Sequence, residues 1–136
     1  MIEVNNLTAR KIENSFLSKI AKKVLIGENI GTMEISIVLL GPAKMKELNH
    51  QYRRRNAATD VLSFLYQGSG EIVICPTEVK KNTREFNNTF NNELVKVLIH
   101  GLLHLAGYDH EKSQGGAREM MAKQNYYLKI CQRLIY

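Results

Sequence analysis

The sequence predicts a single α/β (α+β) domain in which a small mixed four-stranded sheet packs with about five helices, one of them central and buried. The chain has 136 residues, a length that suits one hydrophobic core rather than two. Short aliphatic and β-branched runs alternate with segments of helical periodicity. Hydrophobic residues make up 44% and charged residues 24%, so residues 1–136 read as one globular domain, and disordered or fibrous classes are excluded.

The first half of the chain predicts two strands, each followed by a helix. In order, these are a strand over residues 2–4, a helix over 10–26, a strand over 33–40 and a helix from Pro42 to about Tyr52. The helical segments carry apolar side chains every three or four positions, and the strand segments are rich in aliphatic residues. Gly27 stops the first helix, and Pro42 occupies a first helical position that its fixed backbone angle favours.

The second half predicts a hairpin and three helices. In order, these are a loop over 53–59, strands over 61–66 and 71–75, a short helix that follows Pro76 and ends within 87–92, an apolar helix over 89–106 and a last helix over 114–130. The glycine-rich step at residues 68–70 is typical of a hairpin turn. Gly107 supplies the stop signal expected just after the apolar helix.

Neither a membrane segment nor a disulfide framework is predicted. No apolar run approaches the roughly 18–20 residues that a bilayer span needs, and the first residues lack the basic and apolar parts of a signal peptide. We therefore expect a cytoplasmic protein without membrane contact. The two cysteines, Cys75 and Cys131, are not in a CxxC pair, so we expect both to be small buried hydrophobes.

Positive charge is concentrated in one segment. Nineteen Lys and Arg residues against thirteen Asp and Glu residues give a net charge of +6, and residues 44–55 hold five basic residues beside one acidic residue, Glu47. This excess favours polyanionic partners such as RNA. Charge patterning alone leaves open the alternative that the run is a solvated helix end.

The apolar helix carries two histidines one turn apart. His100 and His104 share a narrow polar stripe with Glu93 and Lys96, whereas the rest of the circumference is apolar. Imidazoles at this spacing can converge on one ion, and Zn²⁺ accepts neutral imidazole nitrogen. The helix is therefore predicted to be buried on all sides except its histidine edge.

A third histidine, His110, follows the glycine stop. Gly107 lets the chain leave the helix in a left-handed conformation and return, so His110 can approach the same ion. Three protein ligands with a fourth position left to water is the pattern of catalytic zinc, and we predict one Zn²⁺ per chain. Imidazole also suits nickel, copper and iron. The alternative is that these histidines are ordinary hydrogen-bonded core residues. It is the weaker one, because three histidines at this spacing, with a glycine before the third, match the pattern of metal ligands.

The same spacing occurs in metzincin peptidases, where a glutamate follows the first histidine as general base. Here that position is Gly101, so the usual mechanism of peptide hydrolysis lacks its base. A zinc hydrolase of another substrate stays open as an alternative. A noncatalytic module that uses zinc only to lock the loop after the helix also stays open.

Three motifs together resemble the YbeY family. They are HGLLHLAGYDH at residues 100–110, TDVLSF at residues 59–64 and GEIVIC at residues 70–75. The resemblance implies a single-strand-specific, metal-dependent endoribonuclease. Such a protein acts in ribosomal RNA maturation, particularly at the 3′ end of the small-subunit RNA, and in ribosome quality control, so the implied partners are single-stranded RNA and the ribosome.

The resemblance also implies roles for individual residues. The zinc ligands of the family fall on His100, His104 and His110, and its functional arginine falls on Arg53. His104, through the metal, and Arg53 are therefore the candidate catalytic residues. A guanidinium can bind the nonbridging oxygens of a phosphodiester in two places at once, which gives Arg53 a task.

Other residues near these motifs have less specific predicted roles. Arg54 and Arg55 can hold flanking phosphates of the RNA. Asp109 and Glu111, which flank His110, can orient a histidine or accept a proton. The alternative that the substrate's own 2′-hydroxyl attacks the phosphate needs no such carboxylate.

Overall fold

The structure, a computed structural model, describes residues 1–111 and 113–135. Strands and helices follow one another in the predicted order. They are β1 (Ile2–Asn6), α1 (Asn14–Gly27), β2 (Glu34–Leu39), α2 (Pro42–Arg53), β3 (Val61–Tyr66), β4 (Ser69–Ile74), α3 (Pro76–Glu85), α4 (Phe90–Leu105) and α5 (Gln114–Ile135). The predicted fold class, a small mixed four-stranded sheet with five helices, is confirmed.

The four strands form one sheet in the order β1-β2-β4-β3. β2 pairs in parallel with both β1 and β4, whereas β3 pairs antiparallel with β4. Parallel neighbours need a crossover, and α1 provides it between β1 and β2. The predicted β3–β4 hairpin is confirmed, but its turn is tighter than expected, because Tyr66 pairs with Ser69 and only Gln67 and Gly68 lie between them.

Helix α4 lies at the centre of the molecule. It packs on α1, α3 and α5 and also covers β3 and β4, so its apolar side chains belong to the main core. Gly101 marks its close approach to the sheet: a Cβ atom at this position would lie 3.0 Å from Oγ of Ser63 and 3.2 Å from two carbons of Ile72. The Ser63 hydroxyl donates a hydrogen bond of 3.1 Å to the carbonyl oxygen of Gly101. The predicted burial of this helix is confirmed.

Three helix boundaries differ from the prediction by two or more residues. Helix α3 ends at Glu85, before the stretch 87–92 in which its end was predicted. Helix α1 begins at Asn14 rather than at Arg10, because the Asn6 side chain holds the preceding residues in a turn. Its amide nitrogen donates to the carbonyl oxygen of Arg10 at 2.8 Å, and its oxygen accepts from the Thr8 backbone at 3.0 Å. Helix α5 continues to Ile135, five residues beyond the predicted end.

A residue with positive φ follows the end of each of the first four helices. The four are Asn29 (φ 61°), Arg54 (φ 57°), Asn87 (φ 50°) and Gly107 (φ 105°). Glycine and asparagine are the residues that most readily adopt this left-handed conformation. Arg54 is therefore the exception, and it ends the helix that carries Arg53.

Both cysteines lie in the interior, as predicted. Cys75 and Cys131 are fully buried and unpaired, and burial raises the pKa of each thiol. Among the described residues, no helix combines the length and the apolar character that spanning a bilayer requires.

Candidate metal centre

The three clustered histidines converge on one point. The ring centroids of His100 and His104 lie 4.7 Å apart, and that of His110 lies 5.0 Å from each. The Nε2 atoms of His100 and His104 are 3.2 Å apart, and one nitrogen from each ring lies within 4.8 Å of the others. Within residues 1–111 and 113–135, no other group of three or more His, Cys, Asp or Glu side chains is close enough together to hold a metal ion.

Two of the three imidazoles are placed by helix geometry and the third by a turn. His100 and His104 stand one turn apart near the end of α4. Gly107, with φ 105°, then reverses the chain, and the following residues bring His110 back over the helix end. The predicted convergence of the three side chains is therefore what the fold produces.

The outer nitrogens of the two helical histidines have partners that fix the rings. Nδ1 of His100 lies 2.9 Å from the side-chain oxygen of Gln124, and Nδ1 of His104 lies 3.1 Å from the carbonyl oxygen of Tyr108. An amide or carbonyl oxygen only accepts, so each Nδ1 carries the hydrogen and donates it. Each Nε2 then keeps its lone pair on the side facing the other histidines, as metal ligation requires.

Burial keeps these two rings neutral. The pKa of His100 is lowered chiefly by burial, against the hydrogen bond to Gln124, which raises it. The pKa of His104 is also lowered chiefly by burial, and next by the proximity of His100 and His110. A neutral imidazole is the form that binds a metal, so the donor set suits a divalent ion with a preference for nitrogen.

A second cluster braces the loop that carries His110. The carboxylate of Glu28, at the end of α1, accepts a hydrogen bond from the Tyr127 hydroxyl and lies 3.7 Å from Nζ of Lys123. It also accepts from the hydroxyl of Tyr108, and burial together with that bond raises the pKa of Tyr108 to about 12. Tyr108 is thus held at its side chain by Glu28 and at its carbonyl by His104.

The imidazoles line an open cleft of about 520 Å³. Its walls come from β3 and the loop before it, α3, α4, α5 and the loop after α4. The charged or hydrogen-bonding side chains among them are Arg53, Thr59, Asp60, Ser63, Asn82, Glu93, Lys96, Asp109, Glu111 and Gln124, with the three histidines. A cleft of this size and polarity admits a charged ligand beside the histidines.

Arg53 lies at the edge of this cleft, at the end of α2. Its Nη2 atom is 3.8 Å from Oε1 of Glu111, and the same carboxylate oxygen is 3.8 Å from Nε2 of His110. Arg54 and Arg55 are exposed and are not among the residues that line the cleft. Of the three predicted arginines, the structure therefore brings only Arg53 to the histidines.

The carboxylates considered as bases also lie at the cleft. Asp109 and Glu111 both line it, and the backbone N–H of Glu111 donates to the Asp109 carboxylate at 2.8 Å.

His50, the fourth histidine, is exposed and lies outside the cleft lining. Thr59 lines the cleft beside Asp60, whose carboxylate accepts a hydrogen bond of 3.0 Å from Asn82.

Sequence reasoning missed Gln124, which orients His100. It lies on α5, 24 residues after its partner, and is only 5% exposed. A signal for it exists in the sequence: Gln124 falls on the helical stripe of Met120, Tyr127 and Cys131, all of which are buried. A polar residue in an apolar stripe indicates a buried hydrogen bond.

The chain is similar to known proteins over nearly its whole length. It is 44% identical over 108 residues to Endoribonuclease YbeY of Thermotoga maritima, which covers 77% of this chain and 72% of the relative. It is 40% identical over 129 residues to Endoribonuclease YbeY of Petrotoga mobilis, with 91% and 90% of the two chains covered. The relative of the same name from Chlorobium luteolum is 33% identical over 132 residues, with 94% and 96% covered.

A solved structure and a family model agree with these relatives. The solution structure of TM1509 from Thermotoga maritima superimposes with a TM-score of 0.69 at 38% identity, covering 95% of this chain and 87% of that one. The sequence model of the family described as Endoribonuclease YbeY matches residues 2–132. Because the match extends over nearly the entire chain, this protein belongs to the Endoribonuclease YbeY family.

Proposed function

We propose that the protein is a metal-dependent endoribonuclease that cuts single-stranded RNA. The observation that carries the proposal is the convergence of three imidazole nitrogens within 4.8 Å in an open cleft that Arg53 also lines. The net charge of +6 suits a polyanionic substrate, and the named relatives are endoribonucleases. We further propose that its substrate in the cell is ribosomal RNA, including the 3′ end of the small-subunit RNA, and that it works in the cytoplasm with the ribosome.

The proposed metal is one Zn²⁺ per chain, held by His100, His104 and His110. Two of these imidazoles are neutral and oriented by hydrogen bonds, which is the preparation that zinc ligation requires. When bound there, the ion supplies Lewis acidity at the scissile phosphate. His110 is more exposed than the other two, so it completes a pair that the helix has already arranged.

Arg53 is the proposed contact to the nonbridging oxygens of the phosphate. Its guanidinium stands near Glu111 at a distance of 3.8 Å, which is longer than a strong ion pair. A phosphate entering the cleft can therefore take over the guanidinium in a shorter, two-point contact. Arg54 and Arg55, which lie outside the cleft, are assigned to flanking phosphates of the RNA.

The attacking group distinguishes two forms of this mechanism. If a protein base activates water, Asp109 and Glu111 are the carboxylates near His110 that can accept the proton. If the 2′-hydroxyl of the RNA attacks, the first product carries a 2′,3′-cyclic phosphate. Chemical analysis of the new 3′ ends separates the two forms.

Peptide hydrolysis, the main alternative, is disfavoured at Gly101. This is the position of the metzincin glutamate, and here it faces Ser63 and Ile72 of the sheet at 3.0 Å and 3.2 Å from a hypothetical Cβ. These contacts are tighter than ordinary van der Waals contacts, so the side chains of Ser63 and Ile72 would have to shift to admit a glutamate here. The chain therefore lacks the base that the peptidase mechanism uses, at a position where a larger side chain is disfavoured.

The test compares wild type with His104→Ala and Arg53→Glu on single-stranded RNA, duplex RNA and casein. The controls are His50→Ala and Arg133→Glu, which change an exposed histidine and an exposed arginine outside the cleft. We expect cleavage of single-stranded RNA alone, lost in both cleft variants and kept in both controls. If His104→Ala cuts RNA as fast as wild type, the activity is a contaminant and the noncatalytic module is the better description.

The metal and the cellular substrate need separate measurements. Elemental analysis of protein purified without chelators should find one equivalent of zinc in wild type and less in His104→Ala. Cells depleted of the protein should accumulate small-subunit RNA with an unprocessed 3′ end. Stoichiometric iron or nickel in place of zinc would overturn the proposed metal and leave the proposed reaction standing.

A further inference from the structure

The wall of the cleft next to His100 contains a lysine held in a defined place. Lys96 lies one helical turn before His100 on α4, and its side chain is partly exposed in the cleft. Its Nζ atom lies 3.8 Å from Oε1 of Glu93 and 5.3 Å from the ring centroid of Phe86. A lysine on an open surface moves among many rotamers, whereas these two contacts keep this ammonium group inside the cleft.

The acidic partner of Lys96 is itself fixed. Glu93 is 2% exposed, and the Asn88 side chain donates a hydrogen bond of 3.0 Å to the same Oε1 atom. A buried carboxylate requires such partners. The ammonium group is thus anchored from below, while its other hydrogens remain available to a ligand in the cleft.

Phe86 contributes an exposed aromatic ring to the same wall of the cleft. It lies just after the end of α3, lines the cleft and is 58% exposed. Its ring therefore contributes little to the packing of the core. The ammonium group of Lys96 lies over the ring, and more than half of the Phe86 side chain is still exposed to solvent. An aromatic surface beside a cation is the combination that binds single-stranded nucleic acid, by stacking a base and holding a phosphate.

We propose that Phe86 and Lys96 form a nucleotide subsite next to the metal centre, in which a nucleobase stacks on Phe86 and an RNA phosphate contacts Lys96. The inference rests on the proposed ribonuclease function and assigns two of its specificity-determining residues. Every base presents a π-face, so the subsite tolerates any sequence. A base inside a duplex has both faces covered by its neighbours, so this subsite itself selects single strands.

The stacking contact is tested with two short oligomers of equal charge. One is a fluorescein-labelled 2′-O-methyl oligouridylate and the other is its abasic counterpart, and the length of each on a gel is checked after the titration. We expect Phe86→Ala to raise Kd for the oligouridylate about tenfold and to leave Kd for the abasic oligomer unchanged. Phe86→Tyr should bind as wild type does, because it keeps the ring.

A matched control for this variant exists on α5. Tyr126 is 56% exposed, lies outside the cleft and has Nζ of Lys123 5.8 Å from its ring centroid. Tyr126→Ala therefore removes an exposed aromatic ring beside a lysine without touching the proposed subsite. We expect it to bind both oligomers as wild type does.

The phosphate contact is tested through salt dependence. Lys96→Gln should weaken binding of both oligomers and reduce the slope of log K against log salt by about 0.7, the value expected for one lost phosphate contact on a single strand. Lys96→Arg should restore the slope. The control is Lys80→Gln, which removes an exposed lysine outside the cleft.

The outcomes separate this inference from the proposed function. Equal loss of binding to both oligomers in Phe86→Ala, or an unchanged salt slope in Lys96→Gln, would overturn the subsite while RNA cleavage by wild type upholds the nuclease. If wild type binds neither oligomer and cuts no RNA, both proposals fall. Circular dichroism and zinc content are compared with wild type for every variant. Neither Phe86 nor Lys96 belongs to the main core, but Lys96→Gln removes the ammonium partner of the buried Glu93.

Discussion

Helices α2 and α4 are each followed by a residue with positive φ, and the two residues are very different. After α4 the left-handed position is Gly107, and after α2 it is Arg54. A glycine takes this conformation without strain, whereas a residue with a Cβ atom pays roughly 1–2 kcal/mol. A side chain that lines the cleft lies close to each turn: Arg53 immediately precedes the turn after α2, and His110 follows the turn after α4.

The difference indicates which property each turn preserves. At the end of α4 the backbone path matters, because the chain must return to place His110 within reach of two fixed imidazoles. At the end of α2 the side chain of Arg54 is present despite the conformation it must adopt. An arginine in this position is explained if its charge is used, as the proposed contact to a flanking phosphate requires.

The largest expected effect concerns the support beneath the α4 end. Gln124→Leu removes the acceptor that orients His100, and we expect zinc affinity to fall by about 10–100-fold. Competition with a chelating dye measures this change. Gln132→Leu, on the same helix and outside the cleft lining, is the control and should bind zinc as wild type does. Equal affinities for wild type and Gln124→Leu would show that helix packing alone orients the ring.

A smaller effect, on the free energy of unfolding, is expected when Gly107 is replaced by a residue with a Cβ atom. Gly107→Ala puts a Cβ atom at φ 105°, and we expect the free energy of unfolding to drop by about 1–2 kcal/mol. Denaturant titration measures it, with Gly31→Ala as the control, because a Cβ there makes ordinary contact with Ile26 at 3.5 Å. If the free energy of unfolding drops equally in both variants, backbone strain is not what distinguishes the end of α4.

The converse change at the α2 end should stabilise the protein. Arg54→Gly relieves the left-handed strain, and we expect a gain of about 0.5–1 kcal/mol in the free energy of unfolding, together with weaker binding of RNA. Thermal unfolding and anisotropy on the same sample would show the two effects moving in opposite directions. A variant that gains stability and binds RNA as before would remove the argument for a functional Arg54.

The smallest expected effect is confined to alkaline solution. Burial, and then the hydrogen bond to Glu28, raises the pKa of Tyr127 well above the ordinary tyrosine value. The contribution of Tyr127 to the free energy of unfolding is therefore fully present below about pH 10 and falls as the pH rises further, because the unfolded chain loses its tyrosine proton first. In Tyr127→Phe, the free energy of unfolding should depend less on pH over the same range, as measured by chemical denaturation at several pH values. Parallel slopes in the two proteins would place the alkaline loss elsewhere.

Local patterns in the sequence predicted most of the fold and three members of the site. His100 and His104 are neighbours on one helix, and Gly107 marks the turn to His110, so a short window contains the geometry. The left-handed Arg54 was not predicted, because arginine carries no turn signal.

Two features of the cleft depend on long-range contacts that the sequence does not reveal. Gln124 reaches His100 from another helix, and the anchoring of Lys96 depends on how α3 packs on α4. The early start predicted for α1 failed for a local reason, since the Asn6 side chain competes with the helix for its first residues. Arg53 was singled out through family resemblance, and only the folded chain shows that it reaches the cleft without Arg54 and Arg55.

The burial of both thiols makes this chain convenient for site-directed labelling. Maleimide and iodoacetamide dyes react with accessible thiolates, and neither Cys75 nor Cys131 offers one at neutral pH. A single cysteine introduced on the rim of the cleft should therefore be the only site modified in the native protein. Fluorophore pairs or spin labels can then follow the approach of an RNA strand without first removing either natural sulfur.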